Sequence, residues 1–225
     1  FKNYIFARKK FNKLIINDLK SDNAEYLYVF NTCALEIINS NLNRKIVLEQ
    51  CSLPIGAYLE KICNEEEKYP EWTTVFHRDI LNDQIFLEYK ESELLELQTA
   101  DRIITPSLEV ANSLHQLQIK AEKIELIPYG FNFKKRIESR ALSSCFTVAT
   151  IGVIELRKGF HHFARIACAC SFAHFTAIGA IGNSFPSDKL DILKQRITFS
   201  GHLSRTDLLQ EFQKIDVILL LTLGE

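Results

Sequence analysis

The sequence predicts an α/β protein of two halves, each an open parallel sheet covered by helices, with a cleft between them. Three observations predict it. Short, continuously apolar runs alternate with stretches of helical spacing, the pattern of strands buried on both faces and connected through helices. Apolar periodicity lapses once, over residues 131–145, and resumes at Phe146, so the expected domains are 1–130 and 146–225 with 131–145 as linker. Glycine, proline or serine closes most of the apolar runs, as expected where strands end and sites are built.

Each element follows from its own residues. Tyr4, Ile5, Phe11, Leu14, Ile15 and Leu19 give residues 1–20 a helical stripe. Residues 26–30 suit a buried strand, 33–41 a short helix, and 44–49 a strand that leaves Gln50, Cys51 and Ser52 at its end. An amphipathic stretch at 58–67 precedes 69–83, which has no clean period and holds the lone His77, by base rate a surface or packing residue. Helical spacing returns at 88–100, and a strand at 101–105 enters Pro106 and Ser107, a natural N-cap for a helix at 108–117. The strand at 124–127 stops at Pro128, Tyr129 and Gly130.

In the second half, strands are expected at 146–151, 175–181, 197–200 and 217–221. Helices are expected at 159–170, 188–194 and from Ser204 to Lys214, the last opened by the capping box Ser204–Asp207.

The stretch 146–163, FTVATIGVIELRKGFHHF, organises the rest. It reads as strand, glycine loop, helix, with Gly152 after the strand and Arg157, Lys158 and Gly159 just before the helix. A helix amino terminus offers free N–H groups and positive dipole charge to an anion. Two cations at that corner add charge-assisted bonds, Arg as a fork and Lys as a point charge. A phosphate-bearing ligand is the functional expectation, and a solvated basic pair is the plain alternative.

Composition narrows the field. The chain is 225 residues long, 47% hydrophobic and 24% charged, enough for a real core. A net charge of -1 with dispersed basic residues argues against a nucleic-acid partner. The six cysteines have no C-x-x-C pairing and read as small buried hydrophobes of a reducing compartment; Cys168 and Cys170 diverge on a helix and would not chelate one metal. With no apolar window of transmembrane length and no signal peptide, the expected location is cytoplasmic. The start at Phe1, the lack of Met and the stop at Glu225 read as a piece of a longer chain.

Four segments then fall into one order: ADRIITPS at 100–107, IELIPYGFN at 124–132, TIGVIELRKGFHHF at 150–163 and ITFSGHLSRTDLLQEFQKIDVILLLTLGE at 197–225. Together they resemble the family-four nucleotide-sugar glycosyltransferases of the GT-B fold (glycosyl transferases group 1), over roughly the last three fifths of the chain. The resemblance implies two Rossmann-like domains, truncated at both ends, with a sugar nucleotide in the second and a glycan or lipid-linked acceptor in the first. It implies a retaining hexosyl transfer at the inner face of a membrane, by peripheral contact, in polysaccharide biosynthesis, and a fragment inactive by itself. It maps the donor diphosphate onto Gly152, Arg157, Lys158 and Gly159, and the nucleobase onto Gly201 and His202. Glu225 matches the first Glu of the family's Glu-x7-Glu element, which contacts the donor sugar. Val153 stands where many members carry an Arg, with Arg157 as its substitute. No Asp-x-Asp pair is placed to hold a metal, and neither metal nor cofactor is expected. Two other readings stay open: a sugar-nucleotide epimerase on the same scaffold, and a non-catalytic Rossmann-like binding module.

Overall fold

The computed structural model describes residues 1–40, 42–130 and 145–224. Within them every strand pairing is parallel. β1 (Tyr26–Phe30), β2 (Lys45–Glu49), β3 (Arg102–Thr105) and β4 (Ile124–Leu126) follow one another in the first sheet. β5 (Thr147–Ile151), β6 (His174–Ile178), β7 (Ile197–Gly201) and β8 (Val217–Ile218) make the second, in the order β7-β6-β5-β8. The strand order therefore reverses beside β5, the place where open α/β sheets open a crevice for ligands.

Helices connect the strands. In the first half they are α1 (Lys2–Leu19), α2 (Leu35–Ile38), α3 (Ile55–Lys68), α4 (Gln84–Thr99) and α5 (Leu108–Gln116). In the second they are α6 (Phe160–Ala169), α7 (Ser187–Leu193) and α8 (Arg205–Phe212). The expected caps are in place: Ser107 Oγ accepts from Val110 N at 3.3 Å, and Ser204 Oγ from Asp207 N at 3.2 Å. Asp83, not singled out by the sequence, caps α4 through Ile85 N and Phe86 N, so α4 starts a turn earlier than its periodicity indicates.

The chain divides into two compact units. The first centres on Leu48, Leu97, Ile103 and Leu114, all fully buried between sheet and helices. The second centres on Phe160, Phe163, Phe175, Ile154 and Ile197, where each large side chain contributes about 1.5–3 kcal/mol by leaving water. Lys61–Phe76 belongs to this second unit although periodicity leaves it in 1–130. Its contacts explain why: the Trp72 ring packs on Phe185, and the backbone N–H of Thr74 donates to Ser184 O at 2.8 Å. The linker expectation at 131–145 lies outside the described residues apart from Cys145.

Three expectations are corrected. The inward face of α1 is Ile5, Arg8 and Asn12, whereas Phe11 and Leu14 are 60% and 63% exposed. The reason is Glu36, whose Oε1 takes Arg8 Nε and Nη2 at 3.2 and 3.1 Å and whose Oε2 takes Asn12 Nδ2 at 2.7 Å. β1 is an edge strand of the described sheet, with Tyr26, Tyr28 and Phe30 exposed rather than buried. Of the cysteines only Cys63 is fully buried, and Cys145 and Cys168 are exposed.

Candidate functional site

Three neighbouring strands of the second sheet end in glycine. Gly152 after β5, Gly179 after β6 and Gly201 at the end of β7 have φ of 136°, 147° and 67°. They are stitched into one edge: Gly152 N donates to Ile178 O, and Gly179 N to Gly201 O, each at 2.9 Å. A Cβ at Gly179 would lie 1.9 Å from Gly152 O, so only glycine lets the two loops close on each other. The result is a side-chain-free rim at the carboxyl ends of the strands, next to the strand-order reversal, where a ligand can reach backbone.

From Gly152 the chain turns through Glu155 and a 3-10 turn, Leu156–Lys158, into Gly159 and α6. Gly159 sits at φ 70°, and a Cβ there would strike Leu221 O at 1.9 Å; glycine is what brings the start of α6 against the exit of β8. No side chain caps α6. Arg157 and Lys158 are half-buried rather than splayed into solvent. Arg157 Nε donates to Glu155 Oε1 at 2.8 Å, and Arg157 O accepts from Leu223 N at 3.0 Å. Lys158 Cδ is the nearest atom to the vacant Cβ position of Gly152, at 4.0 Å. Burial, then the Arg157 charge, lowers the Lys158 ammonium below its usual range, and Glu155 works the other way.

Gly152, Arg157, Lys158 and Gly159 are thus brought to one corner. Gly201 joins the same rim through Gly179, and His202 beyond it is exposed. Val153 is 39% exposed. Glu225 lies outside the described residues.

Behind this loop, on the first turn of α6, His161 and His162 both reach Glu65 of α3. Their Nε2 atoms lie 2.8 and 2.9 Å from the same oxygen, Glu65 Oε1. His161 and Glu65 are buried and His162 is partly open. Tyr69 packs against both imidazoles, at 4.7 and 5.5 Å between ring centres. Burial lowers the His161 imidazole; burial would raise Glu65, but the hydrogen bonds and charge of His161 and His162 outweigh it and hold the carboxyl below its usual range.

A second polar cluster stands at the carboxyl edge of the first sheet. Glu49, the last residue of β2, accepts from Tyr28 Oη at 2.5 Å and from Tyr129 Oη at 2.7 Å. The hydrogen bond to Glu49 pushes both phenols up to about 12. They border a cleft of about 310 Å³ with Pro106, Ile127 and Gly130. Of the positions that sequence places at this strand end, Gln50 is buried and structural, its amide donating to Ser52 O and Glu93 Oε1, and Cys51 Sγ lies 3.2 Å from Asn31 Oδ1.

Sequence reading missed Gly179, Glu65, His161, His162, Tyr28, Glu49 and Tyr129. Gly179 was findable in principle, as the first glycine of a Gly-x-x-Gly run at the end of an apolar stretch. The others come together only through long-range pairing.

No protein-family model matches the sequence, and no curated protein matches it. Solved structures do. The apo form of the lipopolysaccharide outer core galactosyltransferase WaaB is similar over 99% of this chain and 57% of that chain, with a TM-score of 0.64 at 13% identity. TarM is similar over 89% and 36%, with 0.59 at 10% identity. HepE of Anabaena, in complex with UDP, is similar over 93% and 56%, with 0.58 at 15% identity. The chain therefore spans between 36% and 57% of the length of these structures. Among the described residues no helix is long and apolar enough to cross a membrane. With its two four-stranded parallel sheets, the chain has the fold of the GT-B glycosyltransferases.

Proposed function

We propose that the chain is part of a glycosyltransferase that moves a hexosyl group from a nucleoside-diphosphate sugar to a glycan or lipid-linked acceptor. The observation that carries the reading is the glycine rim of β5, β6 and β7, with Lys158 and Arg157 folded back at the uncapped start of α6. Departure of a nucleoside diphosphate leaves negative charge on phosphate. Fixed cations and helix N–H groups lower the barrier where that charge grows, because they are oriented before it appears. In this reading Glu155 holds the Arg157 guanidinium in place, and Lys158 supplies a second charge beside the Gly152 backbone. Gly201 and His202 border the base, Glu225 contacts the donor sugar, and transfer proceeds with retention. The neutralising charge comes from the chain's own cations, without a metal at the diphosphate.

The acceptor belongs, on the same reading, to the first unit, beside Glu49, Tyr28 and Tyr129. A carboxylate flanked by two exposed aromatic rings offers what a sugar needs, an acceptor for hydroxyls and apolar faces for C–H groups. The catalytic protein works in the cytoplasm against the inner face of a membrane.

Calorimetric titration with UDP and with GDP tests the donor site. Two charge-assisted contacts at about 1.5–3 kcal/mol each make the Arg157→Ala, Lys158→Ala double variant bind at least about 100-fold more weakly. Equal affinity in variant and parent would refute the assignment. Product analysis separates an epimerase, which releases an isomerised sugar with no acceptor present.

A further inference from the structure

Outside the glycine rim, one group of side chains among the described residues has the makeup and the convergence of a metal site: Glu65, His161 and His162. We propose that Glu65 Oε1 and the Nε2 atoms of His161 and His162 bind a divalent transition-metal ion of the zinc class, with water in the fourth position. Such an ion would fasten the carboxyl-terminal part of α3 to the first turn of α6.

Geometry is the main argument. The three donor atoms lie within 4.8 Å of one another, on side chains from two helices. Metal bonds of about 2.0–2.1 Å in a tetrahedral arrangement need donors roughly 3.3 Å apart, so the present 2.8 and 2.9 Å contacts must open by about half an ångström. Glu65 and His162 keep 11% and 36% side-chain exposure, which leaves room for that movement and for the water. Two imidazoles with one carboxylate suit zinc, copper or nickel rather than calcium or magnesium, which prefer all-oxygen shells.

The rings are already oriented. His161 and His162 lie 3.9 Å apart between centres, Tyr69 packs on both, and Trp72 is 6.3 Å from His161. Ligation through Nε2 requires the ring proton on Nδ1. His161 Nδ1 is buried with no partner, so moving the proton there breaks no protein contact except the one to Glu65, which the ion replaces. The nearby cations are already occupied: Arg165 donates to Tyr69 Oη at 3.1 Å, and Lys68 lies 3.8 Å from Glu65 Oε2.

The test is titration of the EDTA-treated chain with Zn2+ by calorimetry and with Co2+ by visible absorption. One equivalent is expected, with a Co2+ spectrum that lacks thiolate bands, and a melting temperature that rises with Zn2+ concentration. His162→Ala and Glu65→Gln each weaken binding at least tenfold, about 1.4 kcal/mol, without changing the circular dichroism of the metal-free chain. Glu65→Gln keeps an acceptor for both imidazoles, so it separates loss of ligation from loss of folding. Absence of saturable binding, equal affinity in both variants, or thiolate bands from the exposed Cys145 or Cys168 overturns the proposal.

Discussion

The Cβ that any residue but glycine would carry at position 179 falls 1.9 Å from the carbonyl oxygen of Gly152. The obstacle is backbone on a neighbouring strand, which cannot rotate aside, and φ at Gly179 is 147°. Gly201 offers a contrast on the same rim, with φ 67° and nothing within 4 Å of its Cβ position. Gly179→Ala should therefore destabilise the second unit by about 3 kcal/mol or more, from strain and displaced loops together. Gly201→Ala should cost only about 1 kcal/mol. Urea denaturation of the two variants decides it; equal losses would mean the rim is not closed by backbone contact.

Arg8, 2% exposed along its side chain, is bound by Glu36 through two nitrogens. Removing one partner of a buried pair strands the other, at about 3–5 kcal/mol. Arg8→Ala should approach the lower end of that range, because Glu36 keeps Asn12 and 22% exposure. Phe11→Ser on the same helix should stay within about 0.5 kcal/mol. Thermal melts of both variants check the ranking, and the reverse order would restore the aromatic stripe as the buried face.

That reversal shows where sequence reading stops. Apolar runs such as 147–151 and 175–178 mark strands because both faces are covered, and Ser107 and Ser204 mark helix starts because their hydroxyls answer backbone N–H groups a few residues away. These are local effects. Arg8 turns inward for a carboxylate 28 residues distant, Glu65 meets His161 across 96, and Tyr129 meets Glu49 across 80. No periodicity carries such information. Gly179 is marked only by the Gly-x-x-Gly run it opens, because the apolar residues on either side continue the strand pattern and the sign of φ is not written in composition. The basic corner at Arg157 and Lys158 was legible as position and charge, while the Glu155 pairing that orients Arg157 was not.

Glu49 binds two phenols at once, and the hydrogen bond disfavours their ionised forms. Both Tyr28 and Tyr129 should titrate near pH 12. Glu49→Gln should bring both down toward the ordinary value of about 10. Tyrosine ring-carbon NMR over an alkaline titration measures this directly, and midpoints that ignore the substitution would show that the cluster does not hold in solution.

Glu96 is fully buried at the start of α2, where its Oε1 accepts from Ala34 N and Leu35 N, both at 2.9 Å, while Oε2 has no partner. Burial outweighs those bonds and raises the carboxyl from 4.5 to about 7. The folded state then holds a proton that the unfolded chain releases, so stability declines as pH rises from the unfolded value through about 7 and is level beyond it. The whole decline is roughly 3 kcal/mol. Glu96→Gln keeps the oxygen that caps α2 and removes the titration. The variant should match the parent near pH 4 and exceed it at pH 8, with a flatter profile between. Urea unfolding at both pH values measures the difference, and parallel profiles would mean that Glu96 is ionised throughout.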